Sequence, residues 1–147
     1  MPNYLSVAIA KSKFQDKIQA LYEDDNLDIQ DNLIEYDIDE AEGEVDSYLG
    51  ARYDVPISSS NEVQLNACRG WTYILFQSKA YERRNDSDVP DAIMEKVKAV
   101  RALLIKISEG KIPLAGSREP ENDVAATGAL DIDEGTTYYS ISNTLGW

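Results

Sequence analysis

The sequence predicts an all-α fold, a compact bundle of about four helices followed by an extended C-terminal tail. Three observations predict it. Apolar residues recur at spacings of three and four in separate stretches, which is the period of a helix with one buried face. Those stretches are separated by segments rich in Pro, Gly, Ser and Asp. Alternation of the β kind is confined to one short segment, Thr136 to Ser142.

The first helix is expected over about 6–22, with Val7, Ile9, Phe14, Ile18 and Leu21 as its apolar set. An acidic, turn-like stretch, Glu23 to Asp31, follows it. The second helix is expected over about 31–52, where Ile34, Ile38, Ala41, Val45, Tyr48 and Leu49 form one stripe. At about 100° per residue, Glu35, Asp37, Asp39, Glu40, Glu42, Glu44 and Asp46 fall on the remaining, outward arc. Asp31 or Asn32 is placed to cap its start, with Glu35 completing a capping box.

Tyr53 to Asn61, with Pro56 and three serines, breaks the chain before a third helix over about 62–84. Val63, Leu65, Ala67, Cys68, Trp71, Ile74, Leu75, Phe76 and Tyr81 cover most of its circumference, which predicts the central, most buried helix. The fourth helix is expected over about 90–110. Pro90 stands near its first position, and Ile93, Val97, Val100, Leu104 and Ile107 are its stripe. Gly110 ends it and Pro113 prevents its resumption.

Two units are expected on this basis, a helical domain over 1–114 and an interaction tail over 115–147. The last 36 residues carry six acids and one base and lose the helical period. Tyr138, Tyr139, Ile141, Leu145 and Trp147 are large apolar groups on a segment without a core of its own, and aromatic groups are common interface anchors. Fully extended, the segment reaches ~120 Å, and Thr136 to Ser142 could add a strand to a partner's sheet edge. A frayed tail is the competing reading.

Composition removes several functions. The chain has no histidine and one cysteine, Cys68. That removes Ser-His and Cys-His nucleophile pairs, disulfide frames and thiolate metal sites. No catalytic residue, metal or cofactor is expected. Acid pairs such as Asp37 and Asp39 sit on one exposed helix face instead of converging in a cleft, as carboxylate catalysis requires. No apolar run is long enough to span a membrane, and the N-terminus lacks the order of a signal peptide. The expected starting compartment is therefore the cytoplasm of the cell that makes it.

Charge is the strongest compositional signal. The net charge is −13, and Glu23 to Asp46 contains 12 acids and no base, whereas Arg69 to Lys111 is net basic. Such an acidic surface does not hold nucleic acid, because phosphate binding needs Lys and Arg to release counterions. Asp24, Asn26, Asp28, Asn32 and Glu35 echo a calcium loop. Ile29, however, replaces the turn glycine, and a solvated acidic turn is the plainer reading.

On helix two, Tyr36, Gly43, Ser47 and Gly50 lie along one line opposite the stripe. A mid-helix glycine costs about 0.5–1 kcal/mol relative to alanine, so a close approach by a neighbouring subunit is one reading and bare solvent exposure the other.

Glu44-Val45-Asp46-Ser47-Tyr48-Leu49-Gly50-Ala51-Arg52-Tyr53, then Pro56, then Val89-Pro90, and finally Ile107 to Leu114 (ISEGKIPL) occur in order. Over about residues 1–114 this pattern resembles the Mu-like phage head-tail connector, or adaptor, family. Within the motif, Asp46, Tyr48, Leu49, Arg52 and Tyr53 read as structural, with Arg52 expected to satisfy a carboxylate or the carbonyls at the helix end.

The resemblance implies a non-enzymatic virion protein at the head-tail interface. Its subunits would form a ring, commonly twelve-fold, beneath the portal protein and dock a downstream tail or stopper protein. DNA would pass through such a ring without specific binding; the charge pattern, apart from the resemblance, suggests that Glu35, Asp39, Glu42 and Asp46 face the channel and repel phosphates. The alternatives from other classes are a small acidic module or DNA mimic that captures a basic protein, and a helical enzyme with a carboxylate site. The first of these predicts a monomer and the second a deep pocket.

Overall fold

The computed structural model describes residues 3–58, 60–84 and 88–116. The tail residues Tyr138, Tyr139, Ile141, Leu145 and Trp147, and the strand expected around them, lie outside the described residues. The fold is all-α. Its elements in order are α1 (Val7–Lys13), α2 (Gln15–Tyr22), α3 (Asp31–Leu49), α4 (Glu62–Arg83) and α5 (Asp91–Ser108).

The first expected helix is two helices. The Ser6 hydroxyl caps α1 by accepting the Ile9 N–H, and the helix stops at Phe14. Phe14 leaves helical geometry at φ −112° and ψ 23°, and its carbonyl starts α2 by accepting from Lys17 and Ile18. The reason is tertiary. The buried Phe14 ring meets Tyr73, Phe76 and Tyr81 of α4 edge-on, with centroids 6.0–6.4 Å apart. Such aromatic pairs contribute about 0.5–1.5 kcal/mol each beyond area burial, enough to offset the lost continuity.

The capping box expected at Asn32 and Glu35 does not form. Gln30 occupies the cap position of α3 without a side-chain cap bond. Its amide donates instead to Asp24, while Asp31 pairs with Lys11 at 2.8 Å. At the other end, α3 stops at Leu49, three residues earlier than expected, and the N–H groups of Arg52 and Tyr53 both close on the Leu49 carbonyl.

Asn61 caps α4 by accepting from Gln64. Pro90 directly precedes α5, one residue earlier than expected. Glycine at 110 is required by its backbone, which sits at φ +76°; the Arg52 guanidinium, 2.7 Å from where a Cβ would stand, is the end of a flexible, exposed side chain that can move aside. Gly110 N–H donates to Ile107 and Lys111 N–H to Lys106, satisfying carbonyls that the helix end leaves open.

The hub of the bundle is α3, not α4. Helix α3 packs against each of the other four helices, α4 against α2, α3 and α5. Ile34, Ile38, Ala41, Val45 and Leu49 are completely buried, and Phe76, Leu75, Leu104 and Ile107 close over them from α4 and α5. Each large side chain of this set contributes about 1.5–3 kcal/mol on burial. The wide apolar circumference of α4 is only partly used, since Val63 stays 58% exposed and Trp71 and Ile74 are half-buried.

Candidate interaction surface

The carboxylates of α3 do not form one outward arc. They divide into internal struts and a solvent-facing remainder, and the division decides which surface is available to other molecules.

Glu42 is the first correction. It does not face solvent or a channel but is 4% exposed. Its two carboxylate oxygens accept the backbone N–H groups of Asn3, Tyr4 and Leu5, which pins the N-terminal segment against α3. Asp46 belongs to the same strut and also points inward, accepting the Tyr4 hydroxyl proton. That hydroxyl in turn accepts from Ile57 N–H at 2.8 Å, and Arg69 donates to the Tyr4 carbonyl. Burial raises the Asp46 carboxyl above its usual range; the Tyr4 hydrogen bond works against this and the Glu42 charge adds to it. Burial and the Asp46 contact also hold the Tyr4 phenol strongly un-ionised.

Asp37 is the second correction, a carboxylate expected outside and found 3% exposed. It accepts Nε and a terminal nitrogen of Arg83 together with the Tyr22 hydroxyl at 2.7 Å. Its hydrogen bond raises the Arg83 guanidinium, while burial and then Asp37 raise the Tyr22 phenol. Such a pair repays its desolvation only because every oxygen has a donor.

Glu44 forms a two-pronged pair with Arg101 of α5, at 2.6 and 3.1 Å, and lies 3.6 Å from Lys79 of α4. Burial pushes the Glu44 carboxyl up, but the hydrogen bonds and charges of Arg101 and Lys79 outweigh it and leave it lowered. Bases on α4 and α5 are thus engaged inside the chain.

The signal for the buried acids was in the spacing. Asp37 stands three residues after Ile34, and Glu42 four after Ile38, so both continue the stripe; polarity alone had assigned them to the other side.

Of the acids expected to face a channel, Asp39 is exposed and Glu35 half-buried. The line opposite the core is open. Tyr36 is 59% exposed with the Arg83 guanidinium 5.9 Å above its ring. A Cβ at Gly43 would meet nothing within 4 Å. Ser47 is exposed, its hydroxyl turned back to the Glu44 carbonyl, and Gly50 is exposed where the helix ends.

The motif residues lie elsewhere, in a lock between the ends of α3 and α5. Leu49 is fully buried and Tyr48 half-buried. The Tyr53 hydroxyl accepts the Leu114 N–H at 2.9 Å. Arg52 is exposed and, contrary to expectation, makes no hydrogen bond or ion pair among the described residues; its guanidinium lies over Gly110. The two motifs therefore touch, Tyr53 to Leu114 and Arg52 to Gly110.

In the acidic turn, Asp24 is occupied by the N–H groups of Asn26 and Asp28 and by the Gln30 amide. Among the described residues no group of three or more Cys, Asp and Glu side chains is arranged to hold a metal ion. No described helix is long and apolar enough to cross a membrane.

Fold and surface together define, among the described residues, a small helical bundle with acid struts inside and an exposed α3 face outside. The chain matches the family described as Bacteriophage Mu, Gp36 over residues 8–131, and it belongs to that family. No curated protein matches it.

Proposed function

We propose that this phage-family protein is a structural subunit of the virion that works at the head-tail interface. Copies would close into a ring, twelve-fold as the connector resemblance implies, beneath the portal protein. The ring would extend the DNA channel and receive a downstream tail or stopper protein.

The observation that carries the reading is the exposed α3 line of Tyr36, Gly43, Ser47 and Gly50, with open space above Gly43, on the helix that all other helices brace. A stiff hub with one bare, small-residue face suits repeated packing against a neighbour, and heterologous contacts of that kind close rings. Exposed acids such as Asp39 would repel DNA phosphates, so the genome slides without being held. Glu42 and Asp46 take no part in this, being committed to the N-terminal segment.

A structural role also fits the chemistry of the single cysteine. Cys68 is buried, and burial pushes its thiol up to about 12, far from an activated thiolate. The test is electron microscopy of the full chain mixed with its portal protein. Closed rings on the portal support the proposal, and a chain that never associates overturns it.

A further inference from the structure

We propose that the turn carrying Leu27 docks onto the outer stripe of α5 in a second copy of this chain. The proposal rests on the ring reading and names one of its subunit contacts.

Leu27 is 74% exposed and held at φ +69°, a left-handed conformation that a leucine rarely adopts. The turn that holds it is built, not slack. Glu23 and Ile29 pair across it, and the Asp24 and Asp28 backbones are joined at 3.0 Å. An apolar knob is thus presented rigidly to solvent. Asp25 and Asp28 flank it, and neither carboxylate has an ion pair among the described residues.

On α5, Met94, Lys98, Arg101 and Ile105 follow one another at spacings of four, three and four, which places them on one line. Met94 is 45% and Ile105 41% exposed, although both lie on a helix whose other face is in the core. Arg101 is committed to Glu44, whereas Lys98 has no ion pair among the described residues. The two surfaces are complementary. Leu27 would cover Met94, with Asp25 and Asp28 turned to Lys98. The knob and the stripe are on different elements, so each copy donates one and accepts with the other, which is a head-to-tail contact.

The test mixes two full-length variants, Leu27→Cys and Met94→Cys, each with Cys68→Ser, under mild oxidation. The mixture is expected to form disulfide-linked dimers at least about tenfold more readily than either variant alone, because the contact holds the thiols together. A charge swap gives a second readout. Asp28→Lys and Lys98→Glu each weaken association measured by light scattering, and the two together restore it. Equal cross-linking in all samples with no rescue, in chains that still assemble, overturns this contact and leaves the ring reading standing. Chains that fail to assemble even with the portal protein overturn both.

Discussion

Glu42 is a charged side chain whose removal the structure makes costly. In Glu42→Ala, three backbone N–H groups lose their acceptor, and those of Tyr4 and Leu5 are buried. An unsatisfied buried donor costs about 1–3 kcal/mol. The loss is capped by an escape route, since residues 3–5 can leave α3 and hydrate. That route forfeits the burial of Tyr4 and Leu5, about 1.5–3 kcal/mol for a side chain of this size. Two buried donors set the first penalty at about 2–6 kcal/mol and two side chains set the second at about 3–6 kcal/mol; the smaller governs, so the destabilisation is about 2–6 kcal/mol, a large part of the ~5–15 kcal/mol typical of a domain. Urea denaturation followed by circular dichroism measures it, and hydrogen exchange at Tyr4 and Leu5 reports whether the segment has detached. Glu42→Gln keeps an acceptor and falls between. If Glu42→Ala loses under about 1 kcal/mol while Tyr4 stays protected, the strut is not what holds the segment.

Four further outcomes follow from named contacts. Asp37→Asn, which strips the charge facing Arg83, lowers stability by about 2–3 kcal/mol, below the range for a fully buried pair because Arg83 is partly exposed; Asp37→Leu with Arg83→Met recovers this only when Tyr22→Phe removes the buried hydroxyl that Asp37 otherwise accepts, in the same denaturation assay. Glu44 has a lowered folded-state pKa, so its pairing stabilises above the ordinary carboxylate range and is lost as pH falls through the folded value. Melting temperature against pH should therefore fall less steeply on acidification in Glu44→Gln. Gly110→Ala costs about 1–2 kcal/mol from its left-handed backbone, and because the exposed Arg52 side chain can swing clear of the new methyl, Arg52→Ala in the same chain recovers little of it, as thermal melts would show. Gly43→Leu raises the melting temperature of the isolated chain slightly, since its position is open and a mid-helix glycine is the poorer helix former, but weakens ring assembly seen by light scattering; unchanged assembly would remove α3 from the interface.

The parts of the fold legible in the sequence were those governed by local period. The stripes of α3, α4 and α5, the Pro90 start and the Gly110 stop all follow from helical spacing and backbone chemistry. The break at Phe14 was not legible, because no Pro or Gly marks it; the cause is an aromatic cluster on α4, distant in sequence. The capping box failed for a related reason, as Asp31 and Gln30 found partners in Lys11 and Asp24. The acids were the largest misreading of the surface. A carboxylate on an amphipathic helix is usually outside, yet Asp37 and Glu42 follow the stripe's own spacing and are satisfied by Arg83, Tyr22 and three backbone amides. The exposed line of Tyr36, Gly43, Ser47 and Gly50 was legible as a face opposite the stripe, because it follows from helical spacing alone.

An image of the full chain bound to its portal protein, with copies counted around the axis, bears most directly on all of this. A closed ring whose subunits meet along the bare side of α3 is the outcome required by the account. Isolated monomers with Gly43 still open to solvent would contradict it.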